Sequence, residues 1–125
     1  APLMDNAVYR DRLIALQAEG FAMKFNGMRL TTNATDKKSG GMAGMIVKLQ
    51  GCELNHRLAE LAIDVMGEYG ILFEDSPFIR DHGMWQTAYM FDLGLIIGGG
   101  SAQIQKNIIS ERGLDMPREP KVAKK

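Results

Sequence analysis

Three features are scarce in this sequence, and each scarcity excludes a class of protein. A single cysteine, Cys52, cannot form an internal disulfide, which favours a reducing, cytoplasmic setting. The fifteen Lys and Arg residues balance fifteen Asp and Glu residues, so the basic footprint of a nucleic-acid binder is missing. No apolar run approaches the roughly 20 residues of a membrane span, and no signal-peptide pattern opens the sequence. We therefore expect neither nucleic acid nor a membrane as a partner.

The sequence is long enough for one hydrophobic core. Its 125 residues are 46% hydrophobic and include fourteen glycines. The last eight residues carry four basic side chains against one acidic one and are interrupted by proline, which excludes a continuous helix. We expect a single domain over residues 1–117 and a solvated basic tail over residues 118–125.

Apolar residues recur at helical spacing in four segments, and no segment alternates with the period of a strand. The predicted helices are 5–32, 42–69, 81–97 and 101–113. Asp5 or Asn6 is expected to cap the first helix, and Gly113 to end the fourth. The fold prediction is all-α, an antiparallel (up-and-down) four-helix bundle.

Each predicted helix has an apolar stripe that would face its neighbours in a bundle. The stripes consist of Ile14, Ala18, Phe21, Phe25 and Met28 in the first helix; Leu54, Leu58, Leu61, Ala62, Val65 and Met66 in the second; Trp85, Ala88, Tyr89 and Leu93 in the third; and Ile104, Ile108 and Ile109 in the fourth.

Three consecutive glycines and a serine separate the third and fourth helices. Gly98 to Gly100 allow positive φ and a close approach to the backbone, and Ser101 stands where a helix cap is expected. The free N–H groups of the following helix suit an anionic or polar ligand, with help from Gln103. A sharp turn between helices is the alternative, which the spacing alone favours.

A metal site is poorly supported. Cys52, His56 and Glu60 follow one another at four-residue spacing and would share a helix face. There is no second cysteine, and a Cys–His nucleophile pair would lack a third, orienting group. We expect a packed or solvated histidine and no metal.

The segment from Gly99 to Glu119 reads GGSAQIQKNIISERGLDMPRE and resembles the C-terminal signature of acyl-CoA dehydrogenases. In that family a glycine–Thr/Ser turn opens a helix of the type Gln-Ile-Gln-Arg-Asn-Ile-Ile-x-Glu-Arg. Weaker similarities precede it at Val47–Leu49, Val65–Gly70 and Arg80–Asp81, and residues 2–13 resemble the entry to a family helix. The resemblance spans nearly the whole sequence.

The resemblance implies an FAD-dependent enzyme that oxidises an acyl-CoA thioester to the trans-2-enoyl form. A carboxylate removes the α-proton while the β-hydride passes to flavin N5. The family's chains are near 400 residues, form homo- or heterotetramers and pass electrons to electron-transfer flavoprotein. The 125 residues would therefore be the last four helices of the C-terminal domain of a longer chain.

The resemblance also implies site residues. The family's Thr-x-Gln contact to FAD is matched by Ser101, Ala102 and Gln103, and the glycine beside the thioester by Gly100. This agrees with the anion-binding helix start inferred from the glycine turn.

A second family motif is matched only in part. The Gln-x-x-Gly-Gly turn, which reaches a neighbouring subunit's FAD pyrophosphate, corresponds to Asp64, Gly67 and Glu68. Asp64 replaces the glutamine and Glu68 the second glycine. Two added carboxylates would repel a pyrophosphate, so we expect this contact to be weakened.

The catalytic base is the sharpest departure from the family. Many members carry Glu immediately before the glycine of the final turn, and Gly99 occupies that place. Glycine cannot abstract a proton, so no catalytic residue is predicted here. We favour an active chain whose base lies outside these residues; the alternative is a non-catalytic subunit of a heteromeric enzyme.

Overall fold

The computed structural model describes residues 3–35, 41–73, 75–118 and 120. Every regular element among them is helical, which confirms the all-α prediction. No helix in these ranges is both long and apolar enough to cross a membrane. The four α-helices are α1 (Ala7–Thr35), α2 (Gly41–Met66), α3 (Met84–Ile97) and α4 (Ala102–Gly113), with 3-10 turns at Leu3–Asp5, Gly67–Ile71 and Asp81–Gly83.

Helix α1 starts and ends slightly later than predicted. Asn6 caps it, since its side-chain oxygen accepts a hydrogen bond from the Val8 N–H at 3.0 Å. The helix continues to Thr35, and in its last turns the hydroxyls of Thr31, Thr32 and Thr35 donate to carbonyls four residues earlier. Of the loop predicted over 33–41, residues 36–40 lie outside the described part.

Helix α2 is the element against which the others pack. Its contacts with α1, α3 and α4 are the extensive helix pairings among the described residues. The start of α1 lies beside the end of α2, since the Tyr9 hydroxyl donates to the Asp64 carbonyl at 3.3 Å. Helix α3 also runs antiparallel to α2, with Tyr89 beside His56 and Ile96 beside Lys48.

Two ion pairs join α1 to α2. Arg12 donates a hydrogen bond to the Asp64 carboxylate at 2.7 Å. Arg57 donates two hydrogen bonds, one from each terminal guanidinium nitrogen, to the Glu19 carboxylate. The hydrogen bond from Arg57 is the main reason that the pKa of Glu19 lies below its ordinary value, and Glu19 raises the pKa of Arg57 in return.

The apolar core is small, and this corrects the expectation for α1. The buried apolar residues are Leu16, Ala43, Ala59 and Leu61. The predicted stripe of α1 is exposed instead: Ile14 is 52%, Phe21 52%, Phe25 60% and Met28 56% accessible, and Ala18 is exposed as well. Helix α1 contacts α2 through a different face, so its periodic apolar stripe remains uncovered.

Helices α3 and α4 follow their predicted faces only in part. Trp85, Ala88 and Tyr89 are half-buried, but Leu93 and Ile104 are exposed. The buried side chains of α3 are two polar ones, Gln86 and Asp92, which periodicity did not identify. The Gln86 amide donates to the Tyr69 carbonyl at 3.2 Å, which ties α3 to the 3-10 turn after α2.

The helix ends combine correct and incorrect predictions. Helix α2 ends at Met66, three residues earlier than predicted, because Gly67 adopts the left-handed φ of +56° that terminates helices and a 3-10 turn follows. Helix α4 ends at Gly113, as predicted, but the left-handed conformation belongs to Asp115, with a φ of +52°, and not to Gly113. Arg80 precedes the 3-10 turn that begins at Asp81 and makes no side-chain cap there, and its guanidinium carbon lies 5.0 Å from the centre of the Tyr69 ring.

The basic tail predicted over 118–125 lies largely outside the described residues. Arg118, which is described, pairs with Glu111 of α4 at 3.3 Å.

We expect Gly70→Ala to destabilise the protein by about 2 kcal/mol or more. A methyl group at Gly70 would lie 2.5 Å from the Ile63 carbonyl oxygen, a backbone atom that cannot move away cheaply. Gly20→Ala is the matched control, because a methyl group at Gly20 meets nothing within 4 Å. This substitution replaces a glycine inside a helix and should raise the free energy of unfolding by about 1 kcal/mol. Thermal unfolding checks the pair, and equal melting temperatures for the two variants would contradict the packing described.

We expect Glu19→Gln to lower the melting temperature at neutral pH but not in acid. A carboxyl group with a depressed pKa stabilises the fold fully above its unfolded value, and this contribution is lost as the pH falls through the folded-state pKa. The difference from the parent should therefore vanish well below pH 4.5, the ordinary value for Glu19. It should amount to a few degrees at most, because both side chains are exposed. Asp11→Asn, on an exposed position of α1, controls for charge; a Glu19→Gln effect that persists in acid would contradict the pairing.

Candidate functional site

The turn between α3 and α4 requires glycine at two positions. Gly99 has a φ of +67° and Gly100 a φ of +103°, a region that side chains disfavour. Helix α3 ends where the Gly98 N–H donates to the Gly94 carbonyl at 2.8 Å. The chain therefore passes from α3 to α4 through a short turn over residues 98–101.

The first turn of α4 is capped but retains free donors. The Ser101 hydroxyl oxygen accepts from the Ile104 N–H at 3.4 Å, and the Ser101 carbonyl accepts from the Gln105 N–H at 2.9 Å. The N–H groups of Ala102 and Gln103 lie before the first intrahelical bond and at the positive end of the helix dipole. The Gln103 side chain is exposed beside them. The cap and the open donors coexist, so the two sequence interpretations of this turn are compatible.

Two side chains that the sequence analysis did not identify, Lys48 and Gln105, donate hydrogen bonds to backbone carbonyls at the turn. The Lys48 ammonium donates to the carbonyls of Ile96 and Gly100, at 3.3 and 2.7 Å. The Gln105 amide donates to the Gly99 carbonyl at 3.0 Å. Lys48 is the one charged residue in the otherwise apolar stretch 42–49, a pattern that indicates a charged group reaching from a packed helix to a polar target.

The second group of predicted site residues lies at the other end of α2. Asp64 is paired with Arg12, Gly67 forms the end of the helix, and Glu68 is exposed in the following 3-10 turn. Asp64 comes sixteen residues after Lys48 on one continuous helix, which is about 24 Å of helix axis. One copy of the chain therefore keeps the two predicted groups apart.

The charge at this second group is partly compensated. Arg12 neutralises Asp64, so one of the two carboxylates expected to repel an anion already has its partner. Glu68 forms no ion pair with another described residue. The end of α2 therefore still presents negative charge where an anionic ligand would need positive charge.

The sequence around the glycine turn carries no exposed carboxylate. Residues 93–110 contain neither Asp nor Glu, and Asp92 is buried in α3. A glutamate at Gly99 would have to adopt the positive φ of that residue. The glycine turn itself therefore offers hydrogen-bond donors but no side chain that could act as a general base.

Cys52 and His56, considered above as metal ligands or as a nucleophile pair, have the surroundings of packing residues. The His56 ring packs against Tyr89 at 4.5 Å between centroids, and its Nδ1 is buried without a hydrogen-bond partner. Among the residues described, no three His, Cys, Asp or Glu side chains come together as metal ligands. His56 thus contributes to the contact between α2 and α3, and Cys52 is a half-buried free thiol on the same helix.

A groove lies elsewhere, between α1 and α2. It measures about 490 Å³ and is mostly apolar. Its lining residues are Leu13, Leu16, Gln17, Gly20, Phe21, Lys24, Leu54, Asn55 and Leu58. It adjoins the exposed stripe of α1 and includes none of the predicted site residues.

Comparison with known proteins agrees with this geometry. Residues 1–114 match the family model described as acyl-CoA dehydrogenase, C-terminal domain. Acyl-CoA dehydrogenase IpdE1 of Mycobacterium tuberculosis is 42% identical over 76 residues, which is 61% of this chain and 19% of that protein. The chain thus spans about a fifth of the length of this curated relative.

Solved structures share the fold. The structure described as the Tcur3481-Tcur3483 steroid ACAD superposes with a TM-score of 0.83 at 20% identity, over 94% of this chain and 30% of that one. The ChsE4-ChsE5 complex from Mycobacterium tuberculosis superposes with a TM-score of 0.80 at 25% identity, over the same shares. Both descriptions name two components.

Proposed function

The chain belongs to the acyl-CoA dehydrogenase family, whose C-terminal domain it matches over residues 1–114, and on this basis we propose that it serves in a heteromeric, FAD-dependent acyl-CoA dehydrogenase. In this proposal it contributes cofactor and subunit contacts, and another part of the assembly supplies the base. The reaction is the α,β-dehydrogenation of an acyl-CoA thioester.

One observation carries the proposal. Gly99 stands where many family members have the catalytic glutamate, and its φ of +67° belongs to a turn built for glycine. The absence of any acidic residue over 93–110 means that no neighbour in the sequence replaces that glutamate. A non-catalytic role for this turn explains both facts.

The sequence alone favoured an active chain with its base elsewhere in the same polypeptide. The comparisons support the alternative better, because two structural neighbours with TM-scores of at least 0.80 are described by two component names. We therefore place this chain in a complex with a second, carboxylate-bearing subunit.

The start of α4 fits an anionic cofactor. Free N–H groups of Ala102 and Gln103, the exposed Gln103 amide and the Ser101 hydroxyl all offer donors at the positive end of the helix. When bound, FAD would accept the hydride from the substrate. The residues of this chain would hold the cofactor, and Gly100 would lie beside the thioester.

The end of α2 fits a pyrophosphate less well. Gly67 allows the backbone to turn tightly after α2, but Glu68 adds an exposed negative charge. Because Asp64 lies about 24 Å along α2 from Lys48, which bonds to Gly100, we infer that the two groups serve different cofactors across a subunit boundary, as in the family pattern.

The exposed stripe of α1 supports assembly. Contiguous apolar patches on this scale mark interaction surfaces, and the two phenylalanines and the methionine of the stripe are more than half accessible. We propose that other parts of a tetramer cover them. We expect a cytoplasmic enzyme with electron-transfer flavoprotein as acceptor; a bulky, steroid-type acyl group is the substrate class suggested by a neighbour's description.

We expect Ser101→Gly and Gln103→Ala each to weaken flavin retention about tenfold in the purified assembly, as the loss of a hydrogen bond to an anion does. Ser101→Gly removes the hydroxyl but keeps most of the helix-start stability, which Ser101→Ala would lose. Flavin released on dilution is measured by its fluorescence.

Asn107→Ala is the control, since Asn107 is an exposed amide one turn after Gln103. Unchanged retention in both site variants would refute the assigned contacts. If flavin retention falls in Ser101→Ala but not in Ser101→Gly, the role of Ser101 is limited to capping the helix.

We expect the natively purified enzyme to contain a second acyl-CoA dehydrogenase chain that bears the catalytic carboxylate. Native mass spectrometry gives the composition, and turnover of steroid-type and straight-chain acyl-CoA thioesters gives the activity. Replacing that carboxylate by the amide should abolish turnover. Full turnover by an assembly that contains this chain alone would contradict the heteromeric proposal.

A further inference from the structure

Lys48 links the middle of the molecule to the candidate site. It lies on α2, is half-buried, and donates hydrogen bonds to the carbonyls of Ile96 and Gly100. These two acceptors are on either side of Gly98 and Gly99. A methyl group placed on Gly99 would lie 3.9 Å from the Lys48 Cε, so the side chain passes directly beside the turn.

The first of these bonds satisfies a helix end. Ile96 is in the last turn of α3, where carbonyl groups have no partner within the helix. A lysine ammonium at this end bonds such a carbonyl and complements the negative end of the helix dipole. Lys48 thereby fixes the point at which α3 stops and the turn begins.

The second bond sets the direction of the turn's peptide groups. In a trans peptide the C=O of one residue and the N–H of the next point in opposite directions. Lys48 holds the Gly100 carbonyl, and Gln105 holds the Gly99 carbonyl. The N–H groups of Ser101 and Gly100 are therefore directed away from these two side chains.

We propose that Lys48 is a positioning residue for the cofactor site. By holding the Gly100 carbonyl, it directs the Ser101 N–H, just before α4, away from the lysine and towards the flavin. This inference rests on the proposed function. The role is indirect, because Lys48 acts through the backbone of the turn.

The test compares Lys48→Met with Lys48→Arg in the purified assembly. Methionine keeps the apolar stem and removes the donor, whereas arginine restores charged N–H groups. We expect about a tenfold faster loss of flavin in Lys48→Met, and recovery of most of this in Lys48→Arg. Lys106→Met is the matched control, since it removes the same charge from an exposed position on α4.

A second measurement does not need the flavin. Amide hydrogen exchange in the segment 97–103 should accelerate about tenfold in Lys48→Met, while exchange over 54–66 of α2 stays unchanged. Acceleration along the whole of α2 would indicate general destabilisation and overturn the proposal. Unchanged exchange in 97–103 would overturn it as well.

The two measurements separate the inference from the proposed function. If the parent assembly holds no flavin, the proposed function fails, and the exchange experiment still decides whether Lys48 orders the turn. If the parent holds flavin and Lys48→Met retains it within twofold of the parent, the positioning role is wrong. Equal flavin loss in Lys48→Met and Lys48→Arg would also count against it.

Discussion

The packing of three helices against α2 is the constraint on which the structure depends. Helices α1, α3 and α4 all pack on this element, and the buried apolar side chains of the described residues number only four. Polar contacts therefore help to align the helices: Arg12 with Asp64, Arg57 with Glu19, and Lys48 with the carbonyls of Ile96 and Gly100. A domain with so little core of its own suits a role inside a larger assembly.

The central position of α2 also explains why this one helix contacts both groups of predicted site residues. Lys48 holds the glycine turn at the start of α4, while Asp64 and Gly67 form the other end of α2. The helix sets the spacing between them at about 24 Å, too far for both ends to hold one phosphate group. In the proposed assembly each end would serve a different cofactor, so the rigidity of α2 would couple subunit placement to flavin binding.

Local patterns predicted the fold, and tertiary contacts decided the rest. Helical spacing gave four helices, the glycine triplet predicted the tight turn, and Ser101 was correctly placed as a cap. Periodicity did not predict the buried residues of α1, because an apolar stripe shows that a helix has an apolar face but not whether this chain covers that face. Lys48 and Gln105 were missed because their carbonyl acceptors become neighbours only through the turn and the α2–α3 contact.

The location of the flavin in the intact assembly tests the account most directly. An electron cryo-microscopy map of the natively purified enzyme would show it. We predict flavin density against Ser101 and Gln103 of this chain, with the nearest candidate base contributed from outside residues 1–125. An assembly with bound flavin but none at the start of α4 would contradict the account.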